Sequence, residues 1–197
     1  MQVSSKLRQW RATAKKNNVP FFAFSVLREP VSMAVSFFNY YYGMDHHDPH
    51  YQYFEDPSEQ DFVATAVFNP QCGFLAKSDR IFYQKQEQQL LHRADCDSVY
   101  KQLHKNMDWV GTTETLSSET FPLLRRLIGS NTNADYLAPE HIETKNKSPP
   151  KILQEDLSPT TIELIHKMTV WDQELYEQVK HDYPYSLTKI SDTGDFS

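Results

Sequence analysis

The sequence predicts an α/β fold built on a parallel sheet, and two segments support this prediction. The stretch from Phe21 to Leu27 is a short, nearly continuous apolar run, which is typical of a strand buried on both faces. A second short strand is predicted from Asp108 to Glu114. A helical pattern of apolar residues follows each strand, and strands that alternate with helices favour a parallel sheet over a helical bundle.

Composition narrows the classes of function. The chain has 197 residues, of which 39% are hydrophobic, so we expect one domain with its core at about residues 20–182 and a polar tail over 183–197. The formal net charge of −6 argues against nucleic-acid binding, which requires a basic surface. No apolar run approaches the ~20 residues of a spanning helix, and the polar, basic start has no apolar core of a signal peptide.

The first predicted strand leads directly into a helix. Pro30 stands at the first helical position, which suits its fixed φ and its missing N–H, and Gly43 ends the pattern. Between them, apolar residues recur at helical spacing, at Ala34, Phe37, Phe38, Tyr41 and Tyr42. We therefore expect a strand–turn–helix unit over residues 21–42.

The middle of the chain predicts a loop and three helices. Residues 44–57 are rich in His, Asp, Pro and Tyr without periodicity, which indicates a surface loop. The loop contains metal-ligating residue types, but their spacing matches no known ligand pattern, so a solvated loop is favoured over a substrate-facing loop, and both are favoured over a metal site. These residues are Asp45, His46, His47, Asp48 and His50. Helical patterns follow at about residues 59–68, 80–92 and 97–106.

The last part of the chain repeats the strand-then-helix order. Ser117 or Ser118 is expected to cap a helix after the second strand. Residues 129–155 predict a long polar loop with a basic stretch. Ser158 and Pro159 then begin one final amphipathic helix, which is expected to run to about Lys180.

Arg28 and Ser36 are the candidate ligand-binding residues. Arg28 directly follows the first strand, and ligands of open α/β sheets collect where strands end and the next helices begin. Its guanidinium is a planar fork of donors that fits a phosphate, and Ser36, about two turns into the helix, would add a hydroxyl donor. The alternatives are a surface ion pair of Arg28 with Glu29 or another acid, and a Ser36 hydroxyl that bonds to its own helix backbone. Glu114, at the second strand's end, either joins the site or caps a helix.

Residues 24–40, FSVLREPVSMAVSFFNY, resemble a segment of the sulfotransferases that use 3′-phosphoadenosine 5′-phosphosulfate (PAPS). The similarity is strongest to the Golgi carbohydrate group that includes the uronyl 2-O-sulfotransferases. That family has an arginine before Asp/Glu-Pro and a serine eight residues later, which here are Arg28 and Ser36. The resemblance implies a P-loop-nucleotide-binding-like sulfotransferase fold in which both residues bind the 3′-phosphate of PAPS. Met33 stands where many relatives have a second basic residue.

Later segments, at residues 69–75, 109–114 and 157–176, resemble further landmarks of this group in the same order. Lys145 and Lys147 lie where relatives have a basic loop over the nucleotide, with a solvated loop as the alternative. Cys72 and Cys96 suit either a disulfide or two free thiols on sequence alone. The resemblance favours a disulfide, and it also implies a Golgi location and a carbohydrate acceptor.

Two parts of the family's machinery are not found in the sequence. The family binds the 5′-phosphosulfate with a Gly/Lys/Thr- or Ser-rich loop ahead of the arginine segment, whereas the Lys-rich stretch at residues 14–18 has no Gly. We therefore expect a domain that is incomplete at its N-terminal side, and we assign no catalytic base. The expected function is sulfuryl transfer from PAPS to a carbohydrate hydroxyl, without a metal. The alternatives are a catalytically inactive remnant that serves as a binding module, and a nucleotide kinase, which would need a Gly-x-x-x-x-Gly-Lys-Ser/Thr loop.

Overall fold

The computed structural model describes residues 2–43, 52–77, 93–128 and 151–182. Over these ranges the protein is a mostly helical α/β structure with a two-stranded parallel sheet, which confirms the predicted class. The elements follow in the order α1 (Gln2–Lys16), β1 (Phe24–Leu27), α2 (Pro30–Tyr41), α3 (Glu59–Thr65), α4 (Pro70–Lys77), α5 (Arg93–Asn106), β2 (Trp109–Thr112), a π-helical turn (Leu116–Thr120), α6 (Phe121–Ile128), a 3-10 turn (Gln154–Asp156), α7 (Pro159–Met168) and α8 (Val170–Asp182). None of the helices in these ranges is long and apolar enough to cross a membrane.

The chain groups into two compact units, which we describe separately. The sheet unit comprises Met1–Leu27, Asp97–Glu143 and Leu175–Ser197. The helical unit comprises Arg28–Cys96 and Thr144–Glu174.

The sheet unit is organised by the pairing of β1 with β2. The strands run parallel in a register that places Phe24 opposite Trp109 and Leu27 opposite Thr112. All four residues of β2 are buried, whereas Phe24 is 45% exposed. The prediction that the first strand is buried on both faces is therefore wrong for β1, and β2 is the strand with that environment. The strand also begins three residues later than Phe21, where the apolar run starts.

Asp108 fixes the segment that precedes β1. Its Oδ2 accepts a hydrogen bond of 2.8 Å from the backbone N–H of Ala23, and its two oxygens accept bonds of 2.9 and 3.0 Å from the guanidinium of Arg11. Arg11 lies on α1 and also donates to the backbone oxygen of Asn106. Helix α1 was not predicted, because among its described side chains Leu7 is the one that is buried, so its sequence lacks an apolar stripe.

The turn after β2 depends on a close approach at Gly111. A Cβ at this position would lie 2.6 Å from Oγ1 of Thr120 and 3.0 Å from Nε1 of Trp109, so no side chain fits without movement. Thr120 ends a π-helical turn that continues into α6. The predicted caps Ser117 and Ser118 lie inside this turn, and Thr115 stands at its start, so the capping prediction is wrong.

The helical unit has an aromatic core centred on α2. The predicted helical spacing is confirmed, since the apolar positions of α2 are those that turn inward. Phe38 stands edge-on to Phe62 of α3 at a centroid distance of 5.4 Å and stacks on Tyr42 and Phe54. Ile165 of α7 completes the buried cluster.

Two helices replace the single final helix that the sequence predicts. Ser158 caps α7 as expected, with its Oγ accepting from the N–H of Thr161 and Pro159 at the first position. Helix α7 ends at Met168, and a new helix begins beyond Thr169, whose hydroxyl donates to the oxygen of Ile165. The predicted helices at 59–68 and 97–106 are confirmed with shifted ends, whereas the one at 80–92 lies outside the described residues.

Candidate functional site

The backbone of Arg28 is held by one side chain. Gln71, a buried residue of α4, accepts a hydrogen bond of 2.8 Å from the N–H of Arg28 and donates one of 2.7 Å to its carbonyl oxygen. A primary amide carries an acceptor oxygen next to an NH₂ donor group, so it can pair with both backbone groups of this single residue as a neighbouring strand would. The peptide groups on both sides of Arg28 are thereby fixed where β1 ends.

The side chains of Arg28 and Ser36 are both half-buried. Arg28 lies just ahead of α2, and Ser36 lies in the second turn of that helix. Within the described ranges, neither the guanidinium of Arg28 nor the hydroxyl of Ser36 forms a hydrogen bond or ion pair. By contrast, the hydroxyl of Ser32, one turn before Ser36, donates to Oε1 of Gln154 at 2.7 Å. Among the described residues, Arg28 therefore forms no surface ion pair, and Ser36 does not bond to its own helix backbone.

The carboxylate of Glu29 caps α2. Its Oε1 accepts from the N–H of Val31 at 3.0 Å and its Oε2 from the N–H of Ser32 at 2.7 Å. A negative side chain therefore already occupies the positive end of the helix, where the sequence led us to expect a bound anion. Any phosphate near Arg28 would be bound by side chains and not by these two N–H groups.

Helices α4 and α8 cap each other. Oδ1 of Asn69, the residue before α4, accepts from the backbone N–H groups of Trp171 at 2.8 Å and Asp172 at 3.1 Å in the first turn of α8. In return, the two carboxylate oxygens of Asp172 accept from the N–H groups of Gln71 at 2.8 Å and Cys72 at 2.7 Å in the first turn of α4. The residue that clamps Arg28 is thus itself held by Asp172.

Burial dominates the electrostatics of Asp172. Its side chain has no solvent exposure, and no basic side chain pairs with it in the part of the chain that the structure describes. Burial raises the pKa of Asp172 to about 6, although hydrogen bonds from the backbone and thiol of Cys72 and from the backbone of Gln71 act in the opposite direction.

Cys72 and Cys96 are free thiols in this structure, and both are buried. They belong to α4 and α5. The thiol of Cys96 and burial raise the pKa of Cys72. The disulfide stays a prediction.

Several candidates have positions that the structure does not describe. Lys145 and Lys147 lie outside the described residues, as do the Asp and His residues at positions 45–50 of the predicted 44–57 loop. The described ranges contain no group of three or more His, Cys, Asp or Glu side chains that could hold a metal ion.

Glu114 belongs to the sheet unit. Its carboxylate accepts from the hydroxyl of Tyr176 at 3.0 Å and from that of Thr113 at 2.9 Å. The observed partners of Glu114 indicate a role in packing α8.

The same unit holds Tyr100, whose hydroxyl donates to Asp182. Burial together with this carboxylate raises the pKa of Tyr100 to about 12.

Sequence reasoning missed Gln71, Asn69 and Asp172. A local signal exists for Asn69, since Asn followed by Pro at 69–70 is typical of a helix start. Comparisons with protein-family models, with curated proteins and with solved structures gave no significant match.

Proposed function

We propose that the helical unit binds the 3′-phosphate of PAPS or of its product, 3′-phosphoadenosine 5′-phosphate, through Arg28 and Ser36. The observation that carries the proposal is the combination at Arg28 of a fixed backbone and a guanidinium that has no partner among the described residues. A half-buried arginine whose donors have no described protein acceptor suits a doubly charged phosphate, because two phosphate oxygens can accept two parallel hydrogen bonds from the planar guanidinium.

Three features support this reading. The clamp by Gln71 reduces the conformational freedom that Arg28 would lose on binding, which lowers the entropic cost of the contact. The hydroxyl of Ser36 forms no hydrogen bond with any of the residues that the structure describes, its own helix included. The sequence resemblance assigns the same two residues to a 3′-phosphate. Sulfuryl transfer to a carbohydrate hydroxyl, in a P-loop-related sulfotransferase fold located in the Golgi, is the wider function that the resemblance adds.

A catalytically inactive nucleotide-binding module is the second candidate. It is favoured by Glu29, because its carboxylate occupies the N-terminus of α2 and leaves this helix end unable to stabilise a phosphate or a developing negative charge. No residue of the described ranges is assigned as a catalytic base. Both candidates bind the nucleotide, and they differ in whether sulfate is transferred.

Calorimetric titration with 3′-phosphoadenosine 5′-phosphate tests the proposal. Adenosine 5′-phosphate, which lacks the 3′-phosphate, serves as the ligand control. We expect Arg28→Ala to weaken binding about ten- to a hundredfold, because a hydrogen bond to a charged group contributes about 1.5–3 kcal/mol. Arg28→Lys keeps the charge but loses the planar fork, so it should recover only part of the affinity.

The matched control is Arg93→Ala. Arg93 is an arginine of the same unit whose guanidinium is engaged by Glu174 on the surface, so its removal should leave nucleotide affinity unchanged. Equal binding of both nucleotides, or equal loss in the Arg28 and Arg93 variants, would contradict the proposal. Where binding is found, transfer of radiolabelled sulfate from PAPS to a desulfated glycosaminoglycan separates the enzyme from the inactive module.

A further inference from the structure

Helix α1 has an uneven charge composition. The first 27 positions contain five of the 20 Lys and Arg residues of the chain and none of its 26 Asp and Glu residues, and all five lie in α1. They are Lys6, Arg8, Arg11, Lys15 and Lys16. A helix of 15 residues is about 22 Å long, so five positive charges lie on a short rod in a chain whose formal net charge is −6. The helix belongs to the sheet unit, whereas the proposed nucleotide contact belongs to the helical unit, so the two can be tested independently.

Contacts within the protein account for only part of this positive charge. Arg11 pairs with Asp108 at 2.9 Å. Lys6, Lys15 and Lys16 are exposed and form no hydrogen bond or ion pair with any residue that the structure describes. Lys15 and Lys16 stand in the last turn, where positive charge is favourable to the helix dipole, but this explains neither Lys6 nor why α1 contains no acidic residue. Among the described residues, nothing competes with a partner for these three lysines.

Two large apolar side chains are exposed on the same helix and on the turn that follows it. Trp10 is 54% exposed and lies four residues after Lys6, which makes the two side chains neighbours on the helix surface. Val19 is 56% exposed, and its N–H donates to the oxygen of Ala14 at 2.9 Å, which holds it near the last turn of α1. An indole has a large apolar body and one polar N–H, a combination that is enriched where the hydrocarbon of a bilayer meets water.

We propose that α1, together with the turn through Val19, is an interaction surface for membranes that contain anionic lipids. Its basic side chains bind the phosphate and carboxylate groups of the lipid headgroups, while Trp10 and Val19 enter the boundary between headgroups and acyl chains. Charge complementarity selects an anionic partner. The exposed apolar side chains favour a lipid surface over a soluble polyanion, because a soluble polyanion offers no apolar phase in which they can be buried.

The negative net charge of the chain does not prevent this contact. At physiological ionic strength, exposed charges more than about 8 Å apart are largely screened, so a membrane that touches α1 responds to the charges of this helix more than to distant acids. Each Lys or Arg near an anionic surface raises the affinity about fivefold. The three lysines without a described partner therefore contribute about a hundredfold, whereas Arg11 contributes less because Asp108 balances its charge.

The test is co-sedimentation of the full chain with vesicles of phosphatidylcholine alone and of an equal mixture with phosphatidylserine. We expect binding to the mixed vesicles at low salt, little binding to the neutral ones, and release in about 1 M salt. The fluorescence of Trp10 should shift to shorter wavelength on binding, because Trp109 is already buried and Trp171 is half-buried, and Trp10→Phe should lose this shift. Wild-type chain that stays in the supernatant with mixed vesicles at low salt overturns the proposal, also where an immobilised soluble polyanion such as heparin retains it.

The assignment to α1 is tested by two double variants. Lys15→Ala with Lys16→Ala should weaken binding to the mixed vesicles about 25-fold, at about fivefold for each charge. The matched control is Lys101→Ala with Lys105→Ala, which removes two exposed lysines from α5 of the same unit, one of them also in a last turn, and should leave binding unchanged. Circular dichroism checks that both proteins are folded. Equal losses in the two double variants would show that overall charge drives the binding, and would overturn the assignment to α1.

Discussion

Two aspartates, one in each unit, join segments that lie far apart in the chain. In the sheet unit, Asp108 accepts from the backbone of Ala23 and is neutralised by the guanidinium of Arg11, and its side chain remains 28% exposed. In the helical unit, Asp172 accepts from two backbone N–H groups, has no exposure, and has no cationic partner among the described residues. The charge of Asp108 is thus balanced by a guanidinium and by solvent, whereas that of Asp172 is balanced, among the described residues, by hydrogen bonds alone.

The difference shows what burial adds to a carboxylate. An exposed ion pair gains little because water screens it and because two long side chains must be ordered. A buried acceptor contributes more, because removing it leaves donors that water cannot reach. We therefore expect the two residues to differ in the size of their effect on stability, in its pH dependence and in its salt dependence.

The largest effect is expected for Asp172→Ala. This change leaves the N–H groups of Gln71 and Cys72 without an acceptor inside the protein, and we expect a loss of about 3 kcal/mol in the free energy of unfolding. Urea denaturation at pH 7, followed by circular dichroism, measures the loss. A loss under 1 kcal/mol would mean that water reaches the start of α4 and that the contrast with Asp108 does not hold.

The pH dependence of stability gives the second test. Because burial raises the pKa of Asp172 to about 6, the folded chain retains this proton between about pH 4 and 6, where the unfolded chain has lost it. Raising the pH through this interval should therefore lower the free energy of unfolding, by about 2 kcal/mol for this group. Urea denaturation at half-unit pH steps should show that this contribution is missing in Asp172→Asn, whereas identical profiles would refute it.

The smallest effect is expected for Asp108→Asn. The amide retains one oxygen for the N–H of Ala23 and loses the charge that pairs with Arg11, so we expect a cost of about 1 kcal/mol. This cost should shrink in 1 M salt, because the pair is exposed and screened, while that of Asp172→Ala should not. Denaturation at low and high salt compares the two variants, and a salt-independent cost for Asp108→Asn would contradict the exposed-pair description.

The parts of the structure that local signals specify were predictable. The apolar run before Arg28, the proline at position 30 and the helical spacing up to Tyr42 lie within one short segment. They predicted β1 followed by α2, together with the two candidate residues. Ser158 with Pro159 gave the start of α7 in the same way. Each signal acts between residues that are neighbours in sequence, so one chain is enough to read it.

The hydrogen bonds that hold the candidate site in place were not predictable, because they join residues that are distant in sequence. Gln71 reaches Arg28 across 43 positions, and Asn69 reaches Asp172 across 103. The same long-range contact explains the missed break at Thr169, since the apolar face continues through it while the side chain of Asn69 starts a new helix beyond it. Periodicity reports which face of a helix is buried and cannot report a cap supplied by another segment.

The mutual caps of α4 and α8 also have a consequence for the order of folding. Neither helix start is satisfied by its own neighbours, and each supplies the acceptor for the other across about 100 residues. Closing so long a loop costs entropy before any of these four hydrogen bonds forms, so an early intermediate gains nothing from one helix alone. The two helix starts should therefore become ordered in a single late step. During synthesis, the clamp around Arg28 should stay unformed until residue 172 has left the ribosome.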